Sequence, residues 1–315
     1  MRLEDMRYFV EIVNARSINQ ASKTLFVAQP ALSRAIAALE KELGFPLLKR
    51  SKHGITPTKE GMIVYKDCIS LLQLYSDCTR KWQDIAYAAT ETISQIRIAA
   101  LPMICNNTMN DVFCEIAHKY PRIQLTLFER QLQDVLNEVT TYPKTICISH
   151  YNDQTKNEIY EFARTNRLQV IPLFDDCYQF FASCDSPLVN QKLTTADLKN
   201  CTLASYSQTI ETATLPQFIA AGLINYDSLF RKVIYLSNRY TIMDLTVANK
   251  ALSLTGNIIS SQEPYRKNNS VLPLHVTDFH LPMTYFILMM AEPSVEESIV
   301  ANLLHDHYMA LAEKL

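Results

Sequence analysis

Gln29, Ser33 and Arg34 are side chains whose chemistry suits the edges of DNA bases. Gln and Arg can each make paired hydrogen bonds to a base, and Ser can bond a base or a phosphate. They lie in Gln29-Pro30-Ala31-Leu32-Ser33-Arg34, which opens a helix. Pro30 fits the first turn, where its missing N–H is not needed. In a helix-turn-helix, the N-terminal residues of the second helix meet the bases. An amphipathic helix with a solvated polar face carries the same pattern, so the segment alone leaves both readings open. Lys49, Arg50, Lys52 and His53 follow soon after in a short basic run. Such cations attract a phosphate backbone without reading its sequence. A solvated basic loop would look the same, but its place directly behind the helix favours the phosphate contact.

Other chemistries find little footing. The eight cysteines (Cys68, Cys78, Cys105, Cys114, Cys147, Cys177, Cys184 and Cys201) form no CxxC and no zinc-like spacing with His. Buried, inert thiols are expected, with a redox pair among Cys177, Cys184 and Cys201 as the alternative. No GxGxxG, P-loop, HExxH or GxSxG occurs, and five glycines leave little room for a phosphate cradle. The expectation is a protein that is not an enzyme and needs no cofactor or metal.

The elements that must hold the base-reading group are legible around it. Ser17 and Gln20 stand three apart, the spacing of a capping box, and Ile18, Ala21 and Leu25 follow on one face. Leu32, Ile36, Leu39 and Leu43 form the buried stripe of the next helix, which Gly44 and Pro46 stop. Leu3, Met6, Phe9, Val10 and Val13 mark a preceding helix that completes a small core. Phe45 to Thr58 reads as a β-hairpin wing. From Thr58 to about Ala89 no Pro occurs, and Val64, Cys68, Leu71, Tyr75, Cys78, Trp82, Ile85 and Ala89 recur at alternating steps of 4 and 3. That heptad seam implies a homodimer interface, or a helix buried within one chain. A second stripe, Met62, Tyr65, Ile69 and Leu72, is expected to pack back on the N-terminal module.

Charge separates this module from the rest. Residues 1–61 hold ten Lys or Arg against six Asp or Glu, within a chain of net charge −2. A basic head on an acidic body fits a nucleic-acid contact confined to one end. At 315 residues the chain has room for two or three domains. The first sixteen residues carry Arg2, Glu4, Asp5, Arg7 and Glu11, unlike a signal peptide, and no apolar run spans a bilayer, so a cytoplasmic location is expected.

Beyond Thr92 strands alternate with helices, implying open, largely parallel sheets. Strands are expected at 96–100, 123–128, 146–149, 168–174, 178–183, 202–205, 232–236 and 285–290. Helices are expected at 106–119, 131–139, 215–221, 241–249 and 295–312. In such sheets ligands bind at the carboxyl ends of strands, where helix N-termini favour anions. The candidates are Pro102, Met103, Asn106, Asn107 and Thr108, facing Tyr206, Ser207 and Thr209, with Phe128, Ser149, His150 and Gly256 at neighbouring strand ends. Each Ser, Thr or Asn could equally be a helix cap.

The first 61 residues resemble the winged helix-turn-helix of LysR-type transcriptional regulators. The matching residues are Leu3-Glu4-Asp5-Met6-Arg7-Tyr8-Phe9, Ser17, Ala21, Ser22, Gln29 to Arg34, Leu39-Glu40, Leu43-Gly44, Leu47 to Arg50, Thr56-Pro57-Thr58 and Gly61. Leu48 stands where the family usually has Phe, and Ser22 where a second Ala is usual. The resemblance implies a winged helix-turn-helix (1–58), a long linker helix (59–90) and an effector domain (91–315). That last domain would be an α/β pair of subdomains like a periplasmic binding protein, I at about 92–168 and 276–315, II at about 169–275. It also implies a homodimer or homotetramer on double-stranded promoter DNA. A small molecule between the subdomains would alter subunit geometry, promoter bending or contact with RNA polymerase. Gln29, Pro30, Ser33 and Arg34 would lie in the groove, with Ser17, Arg50 and the other wing cations on the backbone. A thiol redox sensor and a ligand-independent DNA-bending protein remain alternatives on the same scaffold.

Overall fold

The structure, a computed structural model, describes residues 1–25, 27–51, 54–89, 92–105, 109–130, 132–206, 229–236 and 238–313. It divides into two compact units, Met1–Ala86 and Tyr87–Leu315.

In the first unit α1 (Leu3–Ala15), α2 (Ile18–Leu25) and α3 (Gln29–Leu43) surround Phe9, Ile12, Ala21, Leu32 and Leu39, all at most 1% exposed. Ser17 Oγ accepts the Gln20 N–H at 3.2 Å, capping α2. The wing pairs β1 (Leu48–Ser51) with β2 (Gly54–Pro57) antiparallel, with Ser51 opposite Gly54. The Glu40 carboxylate accepts the N–H groups of Leu47 (2.7 Å) and Leu48 (3.2 Å), tying α3 to the base of the wing.

One threonine joins the wing to α4 (Lys59–Ala88). Thr58 Oγ1 donates to the Pro46 carbonyl at 2.8 Å and accepts the Gly61 N–H at 2.8 Å. A Cβ on Gly61 would lie 2.0 Å from the Leu47 carbonyl oxygen, so only glycine fits there. That close approach fixes which stripe of α4 faces the core: Val64, Tyr65, Cys68 and Leu72 follow Gly61 on that side. Two seam expectations are corrected accordingly. Val64 and Cys68, read as interface positions, pack in their own core, Cys68 being 2% exposed. Met62 and Ile69, expected to pack inward, are over 40% exposed. Past this point Leu71, Leu74, Tyr75, Trp82 and Ile85 are 44–69% exposed, and Cys78 is half-buried.

In the second unit β3 (Ser94–Ala100) lies between β4 (Ile123–Glu129) and β5 (Thr145–Tyr151), all parallel. β8 (Thr202–Tyr206) lies likewise between β9 (Lys232–Leu236) and β10 (Leu252–Gly256). The two groups are not separate sheets. Between them run β6 (Leu168–Ser183) and β13 (Leu281–Met290), antiparallel to each other, giving the order β4-β3-β5-β13-β6-β10-β8-β9. A ninth strand, β11 (Val271–Pro273), pairs with β6 off this path, and β7 (Lys192–Leu193) pairs with β12 (His275–Val276) in a separate two-stranded sheet. The expected break between 174 and 178 is absent: Asp175, Asp176 and Cys177 continue β6 because β13 pairs along it. Asp175 accepts the Thr284 hydroxyl at 2.6 Å.

Helices join the strands. α5 (Pro102–Cys105) and α6 (Asn110–Lys119) follow β3, and α7 (Leu132–Thr141) follows β4. α8 (Lys156–Thr165), which the sequence reading missed, precedes β6. α9 (Arg239–Val247) follows β9, α10 (Asn257–Ser260) follows β10, α11 (Pro264–Lys267) comes next and α12 (Val295–Glu313) closes the chain. The expected helix at 215–221 lies outside the described residues. Tyr285, Tyr308 and Phe286 are fully buried, with Phe174 stacked on Tyr285 at 4.8 Å between ring centroids.

His150 also lies in this core, its Nε2 3.0 Å from the Tyr178 hydroxyl. Burial lowers its pKa to about 4. The unfolded imidazole protonates near 6.5, so stability is full above that pH and is lost between 6.5 and 4. Urea titration should show about 2 kcal/mol less stability at pH 5 than at pH 7 from this group. His150→Gln should flatten that slope, and an unchanged slope would exclude His150 as its source. At the module junction, Gly61→Ala should destabilise the first unit by on the order of 3 kcal/mol, read by the same method.

Candidate nucleic-acid interface and ligand cleft

The outer face of α3 presents the residues singled out for base reading. Gln29, Pro30 and Arg34 are exposed and Ser33 is half-buried, while Leu32, Ala35, Ile36 and Leu39 anchor the opposite side. Arg34 Nε donates to the Pro30 carbonyl at 3.3 Å, folding the guanidinium toward the helix start. Ser17 is half-buried and its hydroxyl is already held as the α2 cap. Lys49 is exposed on β1, and Arg50 pairs with Ile55 through the wing backbone. Lys52 and His53 lie outside the described residues, as does the side chain of Arg50. The helix thus offers two donor-rich side chains and a flat, small-residue surface (Ala37 and Ala38 are exposed) to whatever approaches.

In the second unit the strand ends gather a different chemistry. Pro102 and Met103 are buried on α5, and the Tyr285 hydroxyl donates to Met103 Sδ at 3.1 Å. Ser149 is fully buried with no partner for its hydroxyl among the described residues. Phe128 is held by guanidinium groups, Arg97 at 4.1 Å and Arg130 at 5.0 Å from its ring centre. Both arginines grip Glu138, at 2.9 and 2.8 Å, and hold its carboxyl below the usual range against the opposing effect of burial. Asn106, Asn107, Thr108, Ser207 and Thr209 lie outside the described residues.

Gly256 has a different role from the one expected. It was named as a strand-end ligand residue, and it directly precedes α10. Asp176 is already there: its carboxylate accepts the N–H groups of Ile258 at 3.0 Å and Ile259 at 3.2 Å. A Cβ at Gly256 would come 2.5 Å from Asp176 Oδ2 and 2.8 Å from the Tyr285 hydroxyl. Gly256 therefore admits a carboxylate of the chain itself. Burial pushes the Asp176 carboxyl up, and the backbone donors oppose that shift.

The sequence reading missed the charged pair of this region. Arg239, at the start of α9, donates through Nε and Nη2 to Glu263 at 2.7 and 2.9 Å. Both side chains are at most 4% exposed. Breaking one partner of such a pair costs roughly 3–5 kcal/mol, because a buried charge is left alone. Arg239 Nη1 and the Tyr206 hydroxyl are buried without partners among the described residues. Burial pushes the Tyr206 phenol up, Arg239 opposes that, and Glu129, Glu263 and Cys105 add to it. The one available signal was a helix-initial Arg after a strand.

Burial disfavours the thiolate at several cysteines. Cys177 Sγ lies 3.6 Å from His280 Nδ1, yet burial pushes its thiol up. Burial also raises Cys201, and takes Cys105 to about 12. Among the described residues no group of three His, Cys, Asp or Glu could hold a metal ion, and no helix is long and apolar enough to cross a membrane.

Residues 3–62 match the family described as bacterial regulatory helix-turn-helix protein, lysR family, and residues 89–294 match the LysR substrate binding domain. The nitrogen assimilation regulatory protein nac of Escherichia coli (strain K12) is 32% identical over 139 residues, 44% of this chain and 44% of that protein. The matched stretch thus spans under half the length of that relative. The HTH-type transcriptional regulator CysL of Bacillus subtilis (strain 168) is 22% identical over 98% of this chain and 99% of its own. The fold is similar to that of Corynebacterium glutamicum OxyR in its oxidized form, with TM-score 0.53, 17% identity, and 99% and 94% of the two chains covered. With both units matched in order, the chain belongs to the LysR family of bacterial helix-turn-helix regulators.

Proposed function

We propose that the protein is a transcription regulator that reads promoter DNA with α3 and answers to a small molecule held in the second unit. The observation that carries the first half is the exposure of Gln29, Pro30 and Arg34 on a helix whose other face is locked into a core. Arg34 and Gln29 would contact bases, Ser33 a base or phosphate, and Lys49, Arg50, Lys52 and His53 the backbone. In this reading 1–58 is the DNA-binding module, 59–90 the linker helix and 91–315 the regulatory domain. Its subdomains are about 92–168 with 276–315, and about 169–275, and it works in the cytoplasm beside its promoter. Contact with RNA polymerase belongs to the same proposal by family resemblance.

A second copy of the chain is the natural partner of α4. Leu71, Leu74, Tyr75, Trp82 and Ile85 expose an apolar stripe that water disfavours, and a large aromatic anchors such interfaces. Thiol sensing gains no support, since burial raises Cys177 and Cys201 instead of favouring their thiolates.

Arg34→Ala should weaken binding to promoter fragments by about 10- to 100-fold while the oligomer persists, as read by fluorescence anisotropy. Unchanged specific affinity would remove α3 from the groove. Replacing both Leu71 and Trp82 by Glu should yield monomers in sedimentation, and a surviving dimer would move the interface elsewhere.

A further inference from the structure

α4 runs without a break from Lys59 to Ala88, yet its last two residues belong to the second unit, which begins at Tyr87. The change of surroundings is abrupt. Trp82 and Ile85 are 59% and 69% exposed, whereas Tyr87 is 6% exposed and packs in the core that holds Ile96, Ile116 and Ile123. Among the described residues no other α4 side chain belongs to that core.

Residues 120–122 form its seat. The Tyr87 hydroxyl accepts the Arg122 backbone N–H at 2.9 Å, and the Tyr87 carbonyl accepts a bond from Arg122 Nη2 at 2.9 Å. The guanidinium lies 4.7 Å from the centre of the Tyr87 ring. The Tyr120 ring meets that ring edge-on, with centroids 5.1 Å apart. The last carbonyls of a helix have no partner within it, and its dipole favours a cation there. Arg122 supplies both the donor and the charge, so it caps α4 while gripping the ring. Its Nε is buried without a partner among the described residues, so the contacts with Tyr87 are what hold the guanidinium in place.

The seat is also part of the sheet. The Arg122 carbonyl accepts the N–H of Ser94, where β3 begins, at 2.9 Å, and Ile123, where β4 begins, pairs opposite Ser94. Tyr120 closes α6, its N–H bonding the Ile116 carbonyl at 2.8 Å. β3, β4 and α6 thus meet the end of α4 at three consecutive residues. A displacement of these elements must carry Tyr87 with it or break the clamp, and a continuous helix is a stiff element that passes such a displacement on.

We propose that Tyr87, held by Arg122, is the positioning residue that couples the second unit to α4, and through α4 to the DNA-reading head. This rests on the reading that α3 binds DNA. Coupling between two sites is reciprocal, so DNA at the head must be felt at the clamp as surely as a change in the second unit is felt at the head.

The test uses the full-length protein and a duplex recovered from genomic DNA by its binding. Hydrogen exchange is followed by mass spectrometry with and without the duplex, the duplex-free exchange of the second unit serving as the check of folding. In the wild type the duplex should slow exchange in α3 and the wing, and change it by about threefold or more in residues 94–100 and 120–129. Tyr87→Ala should keep the protection of α3 and lose the change in the second unit. Arg122→Gln, which spares the backbone bond to the Tyr87 hydroxyl, should lose it too. Tyr87→Phe retains the ring and the capped carbonyl and should keep it. A wild-type response in either Tyr87→Ala or Arg122→Gln, once shown to be folded, would overturn the inference. So would a wild-type protein in which the duplex protects α3 and leaves the second unit unchanged. A duplex that protects nothing would remove the DNA reading as well.

Discussion

The second unit depends on the pairing of β6 with β13. These strands run antiparallel from Leu168 opposite Met290 to Tyr178 opposite Leu281, with a register shift between Thr284 and Phe286. Each also joins a parallel group, β5 on one side and β10 on the other. Every other strand of the main path reaches its place through these two. Of the two carboxylates in the middle of β6, Asp175 is exposed and accepts from Thr284, while Asp176 is buried and is satisfied by the start of α10. An unsatisfied carboxylate at that depth would cost more than a strand pairing contributes.

The first unit has a comparable pivot on a smaller scale. The Leu47 carbonyl accepts the Thr58 N–H at 2.9 Å and leaves no space for a side chain at Gly61. Glu40 holds the other side of the same turn. Helix α3, the wing and α4 therefore meet within a few residues, and the orientation of one constrains the others. This gives a physical reason for the Leu39-Glu40, Leu47, Thr58 and Gly61 pattern by which the family is recognised.

How far the sequence could be read follows from where its information lies. α1, α2, α3 and the wing were legible because glycine, proline and capping residues punctuate them locally. The heptad of α4 was legible as a period, but periodicity does not say which stripe meets a core. That choice was made by a close contact at Gly61, one turn before Val64, between a backbone carbonyl and a residue with no side chain to mark it. β6 was misread because Asp175-Asp176-Cys177 looks like a break when their partners on β13 and α10 are not in view. Arg239 and Glu263 lie 24 residues apart and share no motif, so only the fold brings them together. Tyr206 was named from its strand end alone, and Gly256 for a reason that the Asp176 carboxylate replaces.

That carboxylate has an evolutionary consequence. A single change at position 176 to a small neutral residue would vacate the donors at the start of α10, beside a glycine that already tolerates a close neighbour. Asp176 thus serves the chain as its own counter-charge at that helix start. Positions 176 and 256 are therefore constrained together, because the carboxylate needs the space that only glycine leaves.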